Sequence, residues 1–195
     1  MTIKKYALIL LLCLIFSGTI LHSTSGKSLS LDLTWSSLTP ADTSYKKIYG
    51  ESMLYPEIIL AYRLYKRFLV YAGYGFLQDR GEVPPSSAEV ESDQNYISIG
   101  FGYEFPLIKK MDVRISGGIV FINYNSVNYF DSENSGIDEG NRVGYKFDIG
   151  CYYHLSRTIA LNAVVGYFHG QNTTDYLRKL SYGGLKLGIG FGFRF

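Results

Sequence analysis

His154 and Ser156, separated only by Leu155, are the residues of this chain whose types and spacing best suit catalysis. An imidazole can take the proton of a serine hydroxyl, and the activated oxygen can then attack an acyl carbon. A working pair also needs mutual hydrogen-bond reach, a group to orient the base and a face open to substrate. On an extended strand, residues two apart point to the same side. That side here also carries Gly144, Lys146, Asp148, Gly150 and Tyr152, and the chain turns at Leu155–Arg157. The pair is therefore expected to cap a polar interior and not to act as base and nucleophile. His169 stands at a loop edge with no serine or acid at useful spacing. No metal-ligand cluster, phosphate loop or Gly-x-Ser-x-Gly elbow is present. The expectation is a protein without enzymatic activity, cofactor or metal.

The elements that would position such residues are strands. In the closing stretch, Leu185, Leu187, Ile189, Phe191, Phe193 and Phe195 share one parity, while Lys186, Gly188, Gly190, Gly192 and Arg194 share the other. Strict period-two alternation marks a strand with two unlike faces. The same alternation recurs at Leu29–Ser36, Leu54–Tyr65, Phe68–Leu77, Gln94–Phe105, Met111–Ile122, Arg142–His154 and Thr158–Phe168. Polar stretches at 39–53, 78–93, 123–141 and 170–182 read as long loops, and Lys66-Arg67, Pro106–Lys110 and Leu155–Arg157 as tight turns. About eight strands of roughly ten to thirteen residues, joined alternately by long and short connections, suit an even-stranded antiparallel up-and-down barrel. No helical period of useful length follows residue 26.

The start of the chain is different. Lys4 and Lys5 precede an apolar run from Tyr6 to Leu21, followed by Ser23, Thr24, Ser25 and Gly26. This is the pattern of a cleaved secretory signal peptide spanning residues 1–26, which leaves residues 27–195 as one domain. Cleavage removes Cys13 and leaves Cys151 alone, so no intramolecular disulfide can form. A net charge of +2 without a Lys/Arg block gives no case for nucleic acid.

Parity alone admits either a membrane barrel with lipid outside or a soluble lipocalin-like carrier with a greasy cavity. The polar parity collects Asp32, Glu57, Glu104, Asp112 and Asp148 with Arg63, Arg114, Lys146, Lys186 and Arg194. The acids and bases balance in number and, being opposite in sign, would pair inside a narrow tube, since an unpaired charge out of water is costly. The apolar parity carries Tyr62, Phe76, Phe105, Tyr153, Tyr167 and Phe195 near strand ends, as an interfacial aromatic girdle would. Glycine on the polar parity suits the concave side of a small barrel. The membrane reading follows, with a lumen filled by side chains and at most a thin water path.

Gly190-Phe191-Gly192-Phe193-Arg194-Phe195 is similar to the C-terminal signature of bacterial outer-membrane proteins. With Tyr71–Phe76 and Ile99–Tyr103, it makes the region after the leader resemble the small eight-stranded class typified by the OmpA barrel and OmpX. That resemblance implies the outer membrane as location and contact with its lipid and lipopolysaccharide. It also implies recognition of Phe191, Phe193 and Phe195 by the barrel-assembly machinery. His154-Leu155-Ser156 faintly resembles the His-x-Ser pair of lipid A 3-O-deacylases, but it departs in face, leaflet and the Arg157 that follows. A structural, surface-interaction or defence role is expected, with a lipid-modifying enzyme or a soluble carrier as alternatives. Glu82, Glu89, Glu91, Asp93, Asp131, Glu133, Asp138 and Glu139 make the outer rim acidic. They could bridge lipopolysaccharide through divalent cations, meet a basic extracellular ligand, or simply keep the loops in water. Asn172-Thr173-Thr174 matches a glycosylation sequon.

Overall fold

The structure is a computed structural model that describes residues 29–83, 88–130, 134–171 and 181–195. The leader and the 172–174 sequon lie outside the described residues. Eight strands form the wall: β1 (Leu29–Pro40), β2 (Met53–Tyr65), β3 (Phe68–Val83), β4 (Ala88–Ile108), β5 (Met111–Phe130), β6 (Asn134–His154), β7 (Ile159–Gln171) and β8 (Ser181–Arg194). Each pairs antiparallel with its sequence neighbour, and β1 pairs with β8 from Ser30↔Arg194 to Pro40↔Gly184, closing the barrel. Closure leaves no free edge within the ring, as a backbone spanning hydrocarbon requires.

Burial settles which face is which. Phe101 and Ile189 point outward at 70% and 72% exposure, while Lys186 and Asp32 are buried at 0% and 2%. The outside is a continuous apolar band and the inside is charged, the reverse of a soluble carrier. Two lumen glycines make room for this filling. A Cβ at Gly75 would sit 2.3 Å from the Tyr55 hydroxyl, and one at Gly166 would sit 1.9 Å from Asp148 Oδ1.

The structure departs from the sequence reading at the outer end. The described residues of the stretches 78–93 and 123–141 are strand, not open loop. β3 and β4 stay paired to Val83↔Ala88, β4 and β5 to Glu89↔Tyr129, and β5 and β6 to Phe130↔Asn134. Sheet hydrogen bonds need only backbone groups, so pairing continues through polar sequence once the strands are aligned. The strands consequently run from 12 to 21 residues. The stretch 39–53 also holds a helix, α1 (Thr43–Tyr49). Asp42 caps it, accepting from the Ser44 and Tyr45 amides at 2.7 and 3.1 Å. Gly50 ends it at φ 97°, with its amide on Lys46 O. Seven residues, about two turns, are too few to show a helical period, so only the cap and the C-terminal glycine could have signalled it.

Candidate functional site

The lumen is built in layers. Nearest the short turns, Arg114 from β5 donates Nη1 to Asp32 Oδ2 at 2.5 Å and Nη2 to Glu104 Oε1 at 2.7 Å. Its guanidinium stacks 4.5 Å from the Tyr152 ring, whose hydroxyl donates to Asp32 Oδ2 at 3.1 Å. Arg63 reaches Glu104 Oε2 at 2.5 Å, and Arg194 joins Asp112 at 3.1 Å and Glu104 at 3.4 Å. Three guanidinium groups thus face three carboxylates.

Higher up, Lys186 Nζ lies 2.6 Å from Glu57 Oε2 and 3.0 Å from Asp148 Oδ1. Lys146 pairs with Glu57 and lies 3.2 Å from Asp148. Two ammonium groups face two carboxylates, all buried. All ten residues of the sequence-derived charge set therefore fall into two neutral clusters. A cavity of about 20 Å³ lies beside Tyr71, Arg114, Ser116 and Asp148, and one of about 10 Å³ beside Ser30, Arg63 and Glu104. Each has room for about one water.

Above the charges lies an aromatic layer that the sequence did not reveal. Tyr55 from β2, Tyr96 from β4 and Phe168 from β7 meet across the lumen. Their ring centroids are 5.4, 5.3 and 4.9 Å apart. Leu38, Met53, Leu77, Val120 and Ile122 complete this layer. Over it, α1 lowers Tyr45 into the mouth, where Gln94 Nε2 donates to its hydroxyl and the Tyr96 hydroxyl donates to Gln94 Oε1. Tyr182 approaches Tyr45 edge-on at 6.1 Å and stacks on Tyr124 at 4.7 Å.

Asp79 stands at this mouth above the apolar band. Burial pushes its carboxyl from 3.8 up to about 6, and its Oδ2 finds no hydrogen-bond partner among the described residues. The folded mouth therefore holds the proton more tightly than the unfolded chain does. Stability attached to this group is greatest below about pH 4, falls as pH rises towards 6, and is level above that. Asp79→Asn is expected to flatten this difference, by on the order of 1 kcal/mol for a half-buried group. The check is a comparison of urea midpoints for the two proteins from pH 4 to 7. Parallel midpoints would refute it.

The candidate catalytic pair is already engaged. His154 Nε2 is 2.7 Å from Asp112 Oδ2, within the lower charge cluster. Ser156 Oγ accepts from the Thr158 and Ile159 amides at 3.1 and 3.0 Å, bracing the turn. His169 packs on the outer face, 5.7 and 6.3 Å from Tyr145 and Tyr167. Phe191 and Phe195 point outward from the closing strand. Glu82, Glu89, Glu91, Asp93 and Glu139 lie on the sheet that continues above the apolar band. Asp131, Glu133 and the Asp138 side chain lie outside the described residues.

A family model described as an outer membrane protein beta-barrel domain matches residues 8–195. The crystal structure of the outer membrane protein OprG from Pseudomonas aeruginosa is similar, with TM-score 0.64 and 14% identity, over 87% of this chain and 96% of that one. Ail of Yersinia pestis, in complex with the heparin analogue sucrose octasulfate, gives TM-score 0.54 and 13% identity over 87% and 97%. Neisserial surface protein A gives 0.54 and 13% over 89% and 100%. No curated protein matches the chain. At these identities the solved structures speak for the fold alone.

Proposed function

The chain belongs to the outer membrane protein beta-barrel domain family and resides in the bacterial outer membrane, and on that premise we propose that it is a non-enzymatic surface-interaction protein. The sealed barrel anchors a sheet that stands above the membrane and presents an acidic face to a cationic partner. What carries this reading is the continuation of β3–β6 past the outward aromatics Phe76 and Phe121. Beyond them the same face bears Glu82, Glu89, Glu91, Asp93 and Glu139, against a single described arginine, Arg80. Arg80 is taken by Glu91 at 2.8 Å. Glu82 and Glu89 stand directly opposite each other across the hairpin, an arrangement that is unfavourable unless a cation comes between them.

Ail has been solved with a polysulfated heparin analogue. The acidic face here calls for the opposite charge, so a basic segment is the partner we propose. The engagement of His154 by Asp112 and of Ser156 by its own turn supports the non-enzymatic part of the reading. Barrel assembly guided by Phe191, Phe193 and Phe195 belongs to the same proposal, as does contact with outer-membrane lipid and lipopolysaccharide.

The test uses polylysine binding to the full protein in phosphatidylcholine vesicles. Wild type should bind in low salt and release as screening increases. Changing Glu82, Glu89, Glu91 and Glu139 to Gln and Asp93 to Asn should weaken binding by about tenfold or more. Equal binding by the two proteins would remove the acidic face from the proposal.

A further inference from the structure

The opposite end of the barrel carries the reverse charge. Lys66 and Arg67 form the β2–β3 turn, Lys109 and Lys110 the β4–β5 turn, and Arg157 lies in the β6–β7 turn. All five side chains are exposed, and no acidic residue occurs in any of the three turns. Two side-chain carboxylates toward this end, Glu104 and Asp112, are occupied by Arg63, Arg114, Arg194 and His154. None of the five turn cations enters an ion pair among the described residues. They ring the end of the barrel at three of its four strand junctions, the fourth being the β8–β1 seam.

Their neighbours decide what kind of anion they meet. Leu64, Tyr65 and Phe68 flank the first turn, Leu107 and Ile108 precede the second pair, and Leu155 lies beside Arg157. All are exposed, with Leu107 at 63% and Ile108 at 61%. Lys66 Nζ sits 5.0 Å from the Tyr65 ring centroid. A soluble partner would leave this apolar collar wet. In a bilayer the collar enters hydrocarbon, and the cations at its edge reach the level of the headgroups, as snorkelling Lys and Arg side chains do.

We infer that this ring is a docking surface for anionic phospholipid in the leaflet that the short turns face, with the headgroup phosphate as the group recognised. Phosphatidylglycerol gains attraction to the cations that a net-neutral headgroup lacks. The inference concerns the end of the barrel away from the acidic sheet, so each proposal can fail alone.

The experiment reconstitutes the full protein in equimolar phosphatidylglycerol and phosphatidylcholine, extracts it with mild detergent, and measures the ratio of the two lipids retained. Wild type should retain an excess of phosphatidylglycerol that diminishes in high salt. Lys109→Gln with Lys110→Gln should lower the excess roughly fivefold per cation, the order expected for Lys or Arg at an anionic surface. Adding Lys66→Asn, Arg67→Gln and Arg157→Gln should bring the ratio to parity. Asparagine is used at 66 because that residue has φ 48°, which asparagine tolerates. Neutralising Glu89 and Glu91 instead should leave the ratio unchanged, and heat-modifiable migration verifies folding of every variant. Equal retention of both lipids by wild type would overturn the inference. So would an unchanged ratio in the five-cation variant. Binding of soluble polyglutamate with no lipid preference would also overturn it, in favour of a soluble acidic partner.

Discussion

Lys186→Met is expected to cost about 3–5 kcal/mol of folding stability, the range found when one partner of a buried charge pair is removed. Lys186 is fully buried, and it holds Glu57 of β2 and Asp148 of β6 from its own place on β8. Without it, Lys146 alone faces two carboxylates, and one negative charge is left in a space that admits about one water. The methionine itself fits the volume, so the loss reports the stranded charge and not a cavity. Adding Asp148→Asn to the first substitution restores neutrality and should recover most of the loss. Guanidinium unfolding from lipid vesicles measures both. A cost below about 1 kcal/mol for the single variant, or no recovery in the double, would mean that water screens this cluster and that the lumen is wetter than its packing implies.

The eight strands were legible because, below the aromatic layer, the two faces differ sharply in polarity. Asp112 and Arg114 alternate with Val113 and Ile115 on β5, and Lys186 and Arg194 lie on the polar parity of β8. The charged set could be assembled from parity alone. Which carboxylate meets which cation could not, because Arg114 and Asp32 are 82 residues apart and their approach depends on barrel closure. The aromatic layer was hidden for a different reason. At Ile119-Val120-Phe121-Ile122 both lumen and lipid sides are apolar, so the contrast that reveals a face disappears. Tyr96 next to Ile97 hides its inward direction in the same way. The rising sheet was misread because Gly81, Pro84-Pro85 and a run of acids carry the composition of a loop. Composition describes how a segment meets water, whereas pairing in an antiparallel ladder is decided by alignment with the next strand.

The aromatic layer gives the second large effect. Phe168→Ala is expected to destabilise the barrel by about 3–5 kcal/mol, as large-to-small changes of buried aromatics do. Phe168 is 1% exposed and touches the Tyr55 and Tyr96 rings, which come from other sides of the closed wall. Collapse into the vacated space would require β2, β4 and β7 to approach one another, and continuous pairing around the ring forbids that. The cavity therefore persists, and its lining loses contact on one side. Phe168→Leu retains most of the volume and should cost less than about 1.5 kcal/mol. Both variants, like wild type, should be silent in a planar bilayer, because the Lys186 and Arg114 clusters still fill the lumen below. A Phe168→Ala protein that unfolds like wild type would show that the rings move together to fill the gap. One that conducts ions would show that the aromatic layer is the seal, and that the ion pairs beneath it leave a path.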